Sequence, residues 1–187
     1  MKLQNLHSWD LTTAEARELQ LDLATKVSAI NTVPDKVEYL AGLDISPPDE
    51  DDEDGVVTGA AVVLEYPSLE VAEVRVAHGK PRLPYIPGLL SFRETPVLTD
   101  ALDRLELRPD IIYIDGQGVA HPRRFGLACH IGLLTSTPTI GCAKSILVGR
   151  HGELQQQAGS QTSMMHKDEE VGAALRTRAG IKPMYIS

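Results

Sequence analysis

The stretch that decides the fold is Ile111-Ile112-Tyr113-Ile114-Asp115-Gly116-Gln117-Gly118. Four apolar residues predict a buried strand, and the acid and the glycines after them mark its carboxyl end. In α/β proteins, ligands bind beyond the carboxyl ends of strands, where glycines let a phosphate approach the backbone. An Asp-Gly pair also ends ordinary strands, so Asp115 alone predicts only a candidate site for phosphate chemistry.

Two further acids extend this candidate site. Asp44 ends a similar apolar run, and Glu94 comes just before an amphipathic stretch that predicts a helix over 96–106. If strands 39–45 and 111–115 are neighbours, the three carboxylates converge on one edge of the sheet. Their mutual repulsion is costly unless a divalent cation neutralises it, and hard oxygen ligands favour magnesium or manganese over zinc.

Seven stretches of the sequence together match the pattern of one known family. They are 40–46, 84–94, 114–118, 120–128, 138–145, 175–178 and 182–183. In these stretches the chain resembles the endonuclease V family, whose members nick nucleic acid near deaminated adenine. The resemblance implies one ribonuclease-H-like α/β domain over 1–187, with a mixed sheet flanked by helices. It also implies that Asp44, Glu94 and Asp115 bind catalytic Mg²⁺, for which Mn²⁺ can substitute. The implied activity is a nick at the second phosphodiester bond 3′ to inosine, in DNA repair or inosine-RNA processing.

The cationic residues near these acids have both functional and ordinary interpretations. His121 could act on the scissile phosphate, or it could be a histidine bonded to backbone beside a helix. Lys144, which ends a strand beside the predicted substrate-binding residue Ser145, could orient the attacking water or simply be solvated. We expect Arg123 and Arg124 to grip the phosphate backbone rather than read bases.

The loop Pro84-Tyr85-Ile86-Pro87 is predicted to bind substrate. Its prolines fix an aromatic and an aliphatic side chain at little entropic cost, which suits a wedge between bases, and the family resemblance implies that role. Surface packing is the alternative for Tyr85. Gly116 and Gly118, on either side of the predicted substrate-binding residue Gln117, would let backbone amides approach an everted base. Tight turning between strand and helix is their alternative.

The chain departs from the family pattern at its carboxyl end. Family members continue past Ser187 with a Pro-Gly-His segment, which adds a polar residue to the metal site, and then with a helix. We therefore expect a shortened chain whose final strand leaves an apolar face exposed. An alternative function is an inosine-binding or damaged-nucleic-acid-binding protein without efficient cleavage. A ribonuclease-H-like resolvase or phosphotransferase would share the acids, but it would not account for the Pro-Tyr-Ile-Pro loop.

Composition fits a single domain, since the chain has 187 residues and 42% of them are hydrophobic. No apolar run approaches membrane-spanning length and the amino terminus lacks a signal-peptide core, so we expect a cytoplasmic, monomeric protein. A net charge of −8 requires local rather than global attraction to nucleic acid. Much of that charge lies in 49–54, predicted to be a solvated loop rather than a metal cage. Cys129 and Cys142 are expected to be buried reduced thiols rather than a disulfide or a nucleophile, and His130 a packed core histidine.

Periodicity and turn signals predict the following order of elements. They are a helix from Thr12 or Thr13 to about Ile30, an antiparallel meander (38–45, 56–66, 69–78), a helix (96–106), a strand (110–115), a helix (125–134), a strand (138–143), a mobile polar loop (149–163) and a closing helix and strand (168–186).

Overall fold

A computed structural model of the chain describes residues 1–47 and 55–187, so the predicted loop at 49–54 lies outside the described residues. Within the described residues a mixed sheet of nine strands carries three helices. The helices are α1 (Thr13–Ala24), α2 (Leu90–Asp103) and α3 (Leu127–Thr135). The strands are β1 (Tyr39–Ser46), β2 (Val57–Glu65), β3 (Val71–Gly79), β4 (Ile111–Ile114), β5 (Thr139–Ala143), β6 (Arg150–His151), β7 (Gln161–His166), β8 (Glu169–Leu175) and β9 (Met184–Ile186).

The sheet order is β3-β2-β1-β4-β5-β9-β8-β7-β6. Strands β1, β4 and β5 run parallel at the centre, while β1, β2 and β3 form the predicted antiparallel meander. This mixed α/β sheet flanked by helices confirms the predicted fold class. The three central strands end at the same edge, which carries the acids.

The core forms where α2 and α3 pack against the central strands. Leu98 and Leu102 of α2 are fully buried with Ile112 of β4 and Ile131 of α3. Each such side chain contributes roughly 1.5–3 kcal/mol relative to an exposed position. This packing fixes how α2 crosses the sheet and therefore where the helix presents Glu94.

The prediction for α1 is right at its start and wrong at its end. Thr12 accepts a hydrogen bond from the amide of Glu15, whose carboxylate accepts one from the Thr12 amide, so a capping box begins the helix. The helix stops at Ala24 rather than near Ile30. The Thr25 hydroxyl donates to the carbonyl of Asp22 at 2.7 Å, which closes the last turn, and Ile30 is 77% exposed. The apolar residue at 30 therefore has no core to pack against.

The prediction for α2 starts the helix too late. Pro96 lies inside the helix, which begins at Leu90, and Glu94 is a helical residue rather than a residue at the loop-helix junction. An interior proline removes one backbone hydrogen bond and costs about 3 kcal/mol. Burial of Phe92, in the first turn, with Leu89 and Ala16 of α1 helps to offset that cost.

The prediction of a helix in 168–186 is wrong, because this stretch forms β8 and β9. Its Ala, Leu and Glu residues favour a helix locally, but Val171 and Ala174 are buried as residues of strand β8. Gly172 allows β9 to approach, since a Cβ there would lie 2.1 Å from the Ile186 carbonyl oxygen. The predicted polar loop at 149–163 is wrong in part, since β6 and the first three residues of β7 lie within it, and β6 pairs with Met164 and Met165 of β7.

The histidine prediction is confirmed, and the prediction of two buried cysteines holds for Cys129 but not for Cys142. Cys129 and Cys142 are free thiols, the first buried and the second half-buried. His130 is fully buried in an aromatic cluster, with its Nε2 atom 2.8 Å from that of His7. Across the described part of the chain, no helix is long and apolar enough to cross a bilayer.

Close packing of backbone holds the loop after β4 in place. A Cβ on Gly141 of β5 would lie 2.7 Å from both the Gly116 carbonyl oxygen and the Gly118 nitrogen. A Cβ on Gly126 would lie 2.2 Å from the Gln117 carbonyl oxygen. Contacts this short leave no room for a methyl group, so these glycines set the position of residues 116–118.

We predict that Gly141→Ala lowers the free energy of unfolding by about 1–3 kcal/mol, because backbone atoms rather than a mobile side chain must move away from the methyl group. Gly42→Ala in β1 is the matched control, since nothing lies within 4 Å of its Cβ position. Urea denaturation of both variants gives the measurement. Equal stabilities for the two variants would contradict this account of the loop.

Candidate active site

The pairing of β1 with β4 places Asp44 and Asp115 side by side. Leu43 of β1 is in register with Ile114 of β4, and the Asp115 amide continues the ladder by donating to the Leu43 carbonyl at 3.1 Å. Neighbouring strands lie about 4.8 Å apart, so the next residue of each strand brings the two acids together. The predicted convergence of these two carboxylates is confirmed.

Glu94 faces the same place from the fifth position of α2. Burial raises the pKa of Glu94 to about 7, opposed by the positive charge of Arg93 and reinforced by the negative charges of Asp44 and Asp115. The three carboxyl groups therefore interact electrically. A carboxyl group with a pKa near 7 can exchange a proton at neutral pH.

Lys144 follows β5 and forms an ion pair with Asp115. The contact and the negative charge of Asp115 raise the pKa of the Lys144 ammonium, with a smaller contribution from Asp44. The lysine side chain is 75% exposed, so the pair contributes little to stability. An exposed cation fixed at the edge of the acid cluster is instead available to an anionic ligand.

A cavity of about 420 Å³ opens between α2, α3 and the carboxyl ends of β1, β4 and β5. Its wall brings together most of the predicted site residues with several apolar ones. The predicted residues in the wall are Asp44, Tyr85, Ile86, Pro87, Glu94, Asp115, Gly116, Gln117, His121, Lys144 and Ser145.

Tyr85 stands at the mouth of this cavity, where it is 69% exposed. Ile86 is half-buried and packs with Leu83 against the cluster formed by Ala16, Leu89 and Phe92. One side of the loop is thus anchored in the core while the aromatic ring projects outward. This placement is consistent with the predicted wedge, since an exposed ring on an anchored loop is available to stack on a base.

Two buried polar atoms in the cavity wall have no hydrogen-bond partner within the described chain. They are the Ser91 hydroxyl oxygen and the Gln117 Oε1 atom, and the Gln117 Nε2 atom donates to the Ser145 carbonyl at 2.8 Å. A buried polar atom without a partner costs about 1–3 kcal/mol. Both atoms are therefore candidate contacts for a polar ligand.

His121 is nearly fully buried and uses both ring nitrogens within the protein. Its Nε2 atom donates to the Gly88 carbonyl at 3.1 Å, and its Nδ1 atom accepts from the Arg123 amide at 3.1 Å. Burial and the charges of Arg123 and Arg124 lower the pKa of His121 to about 4. The neutral ring thus binds backbone, as in the alternative interpretation, while its edge lines the cavity.

Four of the predicted substrate-binding residues lie outside the cavity wall. Arg124 pairs with Glu169 at 2.8 Å, and Arg123 donates to the Gly88 carbonyl at 2.8 Å. Gly118 donates its amide to the Ser187 hydroxyl at 2.8 Å, and Pro84 is an exposed loop residue. The structure therefore gives both arginines partners within the chain, and their contact with phosphate stays a prediction.

A larger cleft of about 550 Å³ lies between the end of α1 and α3, remote from the acids. No aspartate, glutamate or histidine is among its described lining residues, which include Lys26, Cys129 and Ser187. Its size alone gives no chemistry. We identify the smaller cavity as the candidate active site because three interacting carboxyl groups and a lysine meet there.

As they are placed, no three carboxylate, histidine or cysteine side chains among the described residues stand close enough to hold a metal ion. Asp115 is engaged by Lys144, and Asp44 accepts a hydrogen bond from the Ile45 amide at 2.8 Å. The donor set nevertheless suits a hard divalent cation, because the three groups that meet at the cavity are all carboxyl groups.

Sequence reasoning missed Ser91 and Gln20. Ser91 lies three residues before Glu94, which is one helical turn, so placing the start of α2 correctly would have put both on one face. Gln20 gave no signal, since a glutamine within an amphipathic helix is usually solvated. Here it is fully buried and bonded to backbone of two loops.

Comparison with known proteins identifies the family. The protein-family model described as Endonuclease V matches residues 21–187 of this chain. An endonuclease V of Trichormus variabilis is 46% identical over 188 residues, which cover 100% of this chain and 83% of the relative. The endonuclease V structure from Bacillus subtilis has a TM-score of 0.93 and 29% identity, covering 100% of this chain and 81% of that one.

A third relative was crystallised with nucleic acid. Ciona intestinalis endonuclease V, in complex with a 24mer DNA containing an inosine followed by a ribo-adenosine, has a TM-score of 0.75 and 26% identity. The match covers 93% of this chain and 81% of that one. These similarities confirm the ribonuclease-H-like fold and the resemblance read from the sequence: the chain belongs to the endonuclease V family and is a nuclease.

Proposed function

We propose that this nuclease is a metal-dependent endonuclease that nicks inosine-containing nucleic acid at the second phosphodiester bond 3′ to the lesion. The observation that carries the proposal is the meeting of Asp44, Glu94, Asp115 and Lys144 at one cavity whose mouth bears Tyr85. The complex of the Ciona relative with inosine-containing DNA supports the substrate. The family resemblance supports the position of the nick.

We propose Asp44 and Asp115 as ligands of Mg²⁺ or Mn²⁺, with Glu94 assisting or holding a second ion. The convergence of three carboxyl groups supports this, because a divalent cation would offset the repulsion that contributes to the raised pKa of Glu94. Such an ion supplies Lewis-acid activation of water and stabilises charge on the phosphoryl oxygens.

The remaining chemistry falls to side chains of this chain. Glu94, in its assisting role, lies beside Asp44 and Asp115 and is suited to accept a proton from the attacking water. The Lys144 ammonium, exposed beside Asp115, is suited to stabilise the negative charge that grows on the phosphoryl group. Hydrolysis joins the water oxygen to phosphorus and breaks the bond between phosphorus and the leaving sugar oxygen, which takes up a proton from solvent.

The cavity offers recognition elements for an everted base. Its volume of about 420 Å³ can hold a purine, and Ser91 and Gln117 contribute buried polar atoms in need of partners. Hypoxanthine, the base of inosine, has both donors and acceptors on its edge. Tyr85, exposed at the mouth, is placed to fill the space that such a base leaves in the stack.

The test is incubation of the chain with end-labelled oligonucleotides, with and without inosine, as single and double strands of DNA and RNA. Each is incubated with Mg²⁺, Mn²⁺ or chelator. We expect nicks only in inosine substrates and only with metal. Cleavage in chelator would refute the metal dependence, while inosine-selective binding without a nick in any condition would favour the non-cleaving alternative.

We predict that Asp115→Asn lowers the cleavage rate at least about 10²-fold, since several kcal/mol of transition-state stabilisation depend on the charge of this ligand. Folding should be retained, because the Asp115 carboxylate contacts only exposed Lys144 among the described hydrogen bonds. Single-turnover cleavage and thermal melting give the two measurements. Asp100→Asn, at an exposed position of α2, is the control; equal rates for both variants would disprove the assignment of Asp115.

We predict that Glu94 makes stability fall with pH in the absence of divalent metal. Its folded pKa of about 7 lies above the ordinary glutamate value of 4.5, so its contribution to stability is full below pH 4.5 and is lost as pH rises through 7. Through this effect the free energy of unfolding of the wild type should fall by up to about 3 kcal/mol between pH 4.5 and pH 8. Glu94→Gln should remove this fall. Urea denaturation across pH 4.5–8 tests it. Glu18→Gln, an exposed change on α1, should keep the wild-type slope, and parallel curves for Glu94→Gln would rule the idea out.

We predict that Tyr85→Ala lowers the ratio of cleavage rates on inosine and unmodified duplexes about tenfold, because stacking of a base on an aromatic ring is worth about 1–3 kcal/mol. The control is Tyr66→Ala, which removes another exposed tyrosine, 52% exposed, on the turn between β2 and β3. An unchanged ratio for Tyr85→Ala would mean that the ring does not take part in recognition.

A further inference from the structure

The Gly88 carbonyl, at the end of the Pro84–Pro87 loop, accepts hydrogen bonds from three side chains. The donors are Gln20 Nε2 at 3.1 Å, His121 Nε2 at 3.1 Å and Arg123 Nη2 at 2.8 Å. A carbonyl oxygen has two lone pairs, so three donors saturate it. We call these three side chains and this carbonyl the Gly88 clamp.

Gln20 links the parts of the clamp. Its amide nitrogen also donates to the Phe125 carbonyl at 2.7 Å, and its amide oxygen accepts from Arg123 Nε. One fully buried side chain of α1 thereby joins the loop that ends at Gly88 to the loop that contains Arg123 and Phe125. Both loops border the cavity that holds the acids.

The clamp is costly, which argues that it does more than fill space. The Arg123 guanidinium is half-buried on neutral acceptors, and burial together with the charge of Arg17 lowers its pKa. The other buried positions of α1, Ala16 and Leu23, are apolar. An apolar residue at 20 would avoid desolvating an amide, so the polar network needs a reason beyond packing.

Geometry supplies that reason. Gly88 has φ +81°, and a Cβ there would lie 2.9 Å from Arg123 Nη2, so the clamp closes only on a glycine in the left-handed region. At the start of the loop, Arg93 Nη1 donates to the Leu83 carbonyl at 3.0 Å. With both ends of the loop held, Tyr85 between them has a fixed position over the cavity.

We propose that Gln20 is a positioning residue. Through the Gly88 clamp it holds the Pro84–Pro87 loop, and with it Tyr85, in the orientation needed to discriminate inosine substrates from unmodified ones. This inference rests on the proposed function, because discrimination between inosine and unmodified substrates is part of that function. Gln20 does not line the cavity and touches no reacting group; it acts through Gly88 and Tyr85.

The first measurement is hydrogen exchange, which does not depend on nuclease activity. In Gln20→Met, which keeps the length of the side chain but removes its amide, the two hydrogen bonds that Gln20 donates and the one that it accepts from Arg123 are lost. Exchange at the Leu89 amide, which donates to the Ile86 carbonyl at 2.9 Å and so reports on the loop, should rise at least about tenfold. Val63→Ala in β2 is the matched control, since Val63 is fully buried in a core cluster that contains no residue of the clamp. Unchanged exchange in Gln20→Met, or an equal rise in Val63→Ala, would overturn the clamp.

The second measurement is the ratio of kcat/KM on inosine and unmodified duplexes. Gln20→Met should lower it about as much as Tyr85→Ala, and the double variant should lower it no further, because both changes act through one loop. A double variant whose ratio falls by the product of the two single effects would overturn the positioning role. Faster exchange in the loop of Gln20→Met with an unchanged ratio would also overturn it. Gln20→Glu keeps an oxygen for Arg123 and loses both N–H donors, so it serves if Gln20→Met does not fold. If the wild type shows no inosine-directed nick, the proposed function fails while the exchange result still decides on the clamp.

Discussion

The parallel register of β1 and β4 is the constraint on which the site depends. It is pinned at one end by the Asp110 carboxylate, which accepts the amides of Glu38 and Tyr39 at 2.8 and 3.0 Å, and at the other by the Asp115 amide. A slip of one residue would turn every side chain of β4 to the other face. Asp115 would then leave Asp44, and Ile112 and Ile114 would change places with Tyr113.

The other parts of the site are placed relative to this pair of strands. Burial of Leu98 and Leu102 sets α2 across the sheet and brings Glu94 to the acids, while β5 adds Lys144 from the next strand. Loops attached to this frame carry the groups proposed for recognition. The strands and a helix hold in place the charged groups that repel one another. The loops that carry the recognition groups are fixed by backbone contacts and hydrogen bonds.

The sequence was sufficient for features that depend on local pattern. An apolar run followed by Asp115 and glycine marks both a strand and its functional end, and the same pattern at Asp44 marks its neighbour. It was insufficient where tertiary packing overrides local preference. Pro96 marks a helix start in the sequence, whereas the helix begins at Leu90, because the sequence alone does not show that the first turn is buried against α1. Likewise, β8 has helix-forming residues but lies where β9 needs a partner.

Gln20 and Ser91 could not be assigned for a different reason. Each is a common polar residue on a helix, and only its position relative to distant loops makes it unusual. The paired arginines show the opposite case, since a charge pattern typical of phosphate contacts proved to include bonds within the protein. Long-range hydrogen bonds to backbone therefore limit what a single sequence can reveal about such a site.

The glycine contacts around residues 116–118 also constrain how this site can change. Gly126 and Gly141 lie against the backbone of that loop without room for a methyl group, so a single substitution at either position disturbs the whole loop. New substrate preferences are therefore more accessible through side chains in the cavity wall, such as Ser91 and Gln117, than through the glycines behind them. The crowded backbone of this loop tolerates little change, so evolution or engineering can vary the side chains of the cavity wall more freely than the loop itself.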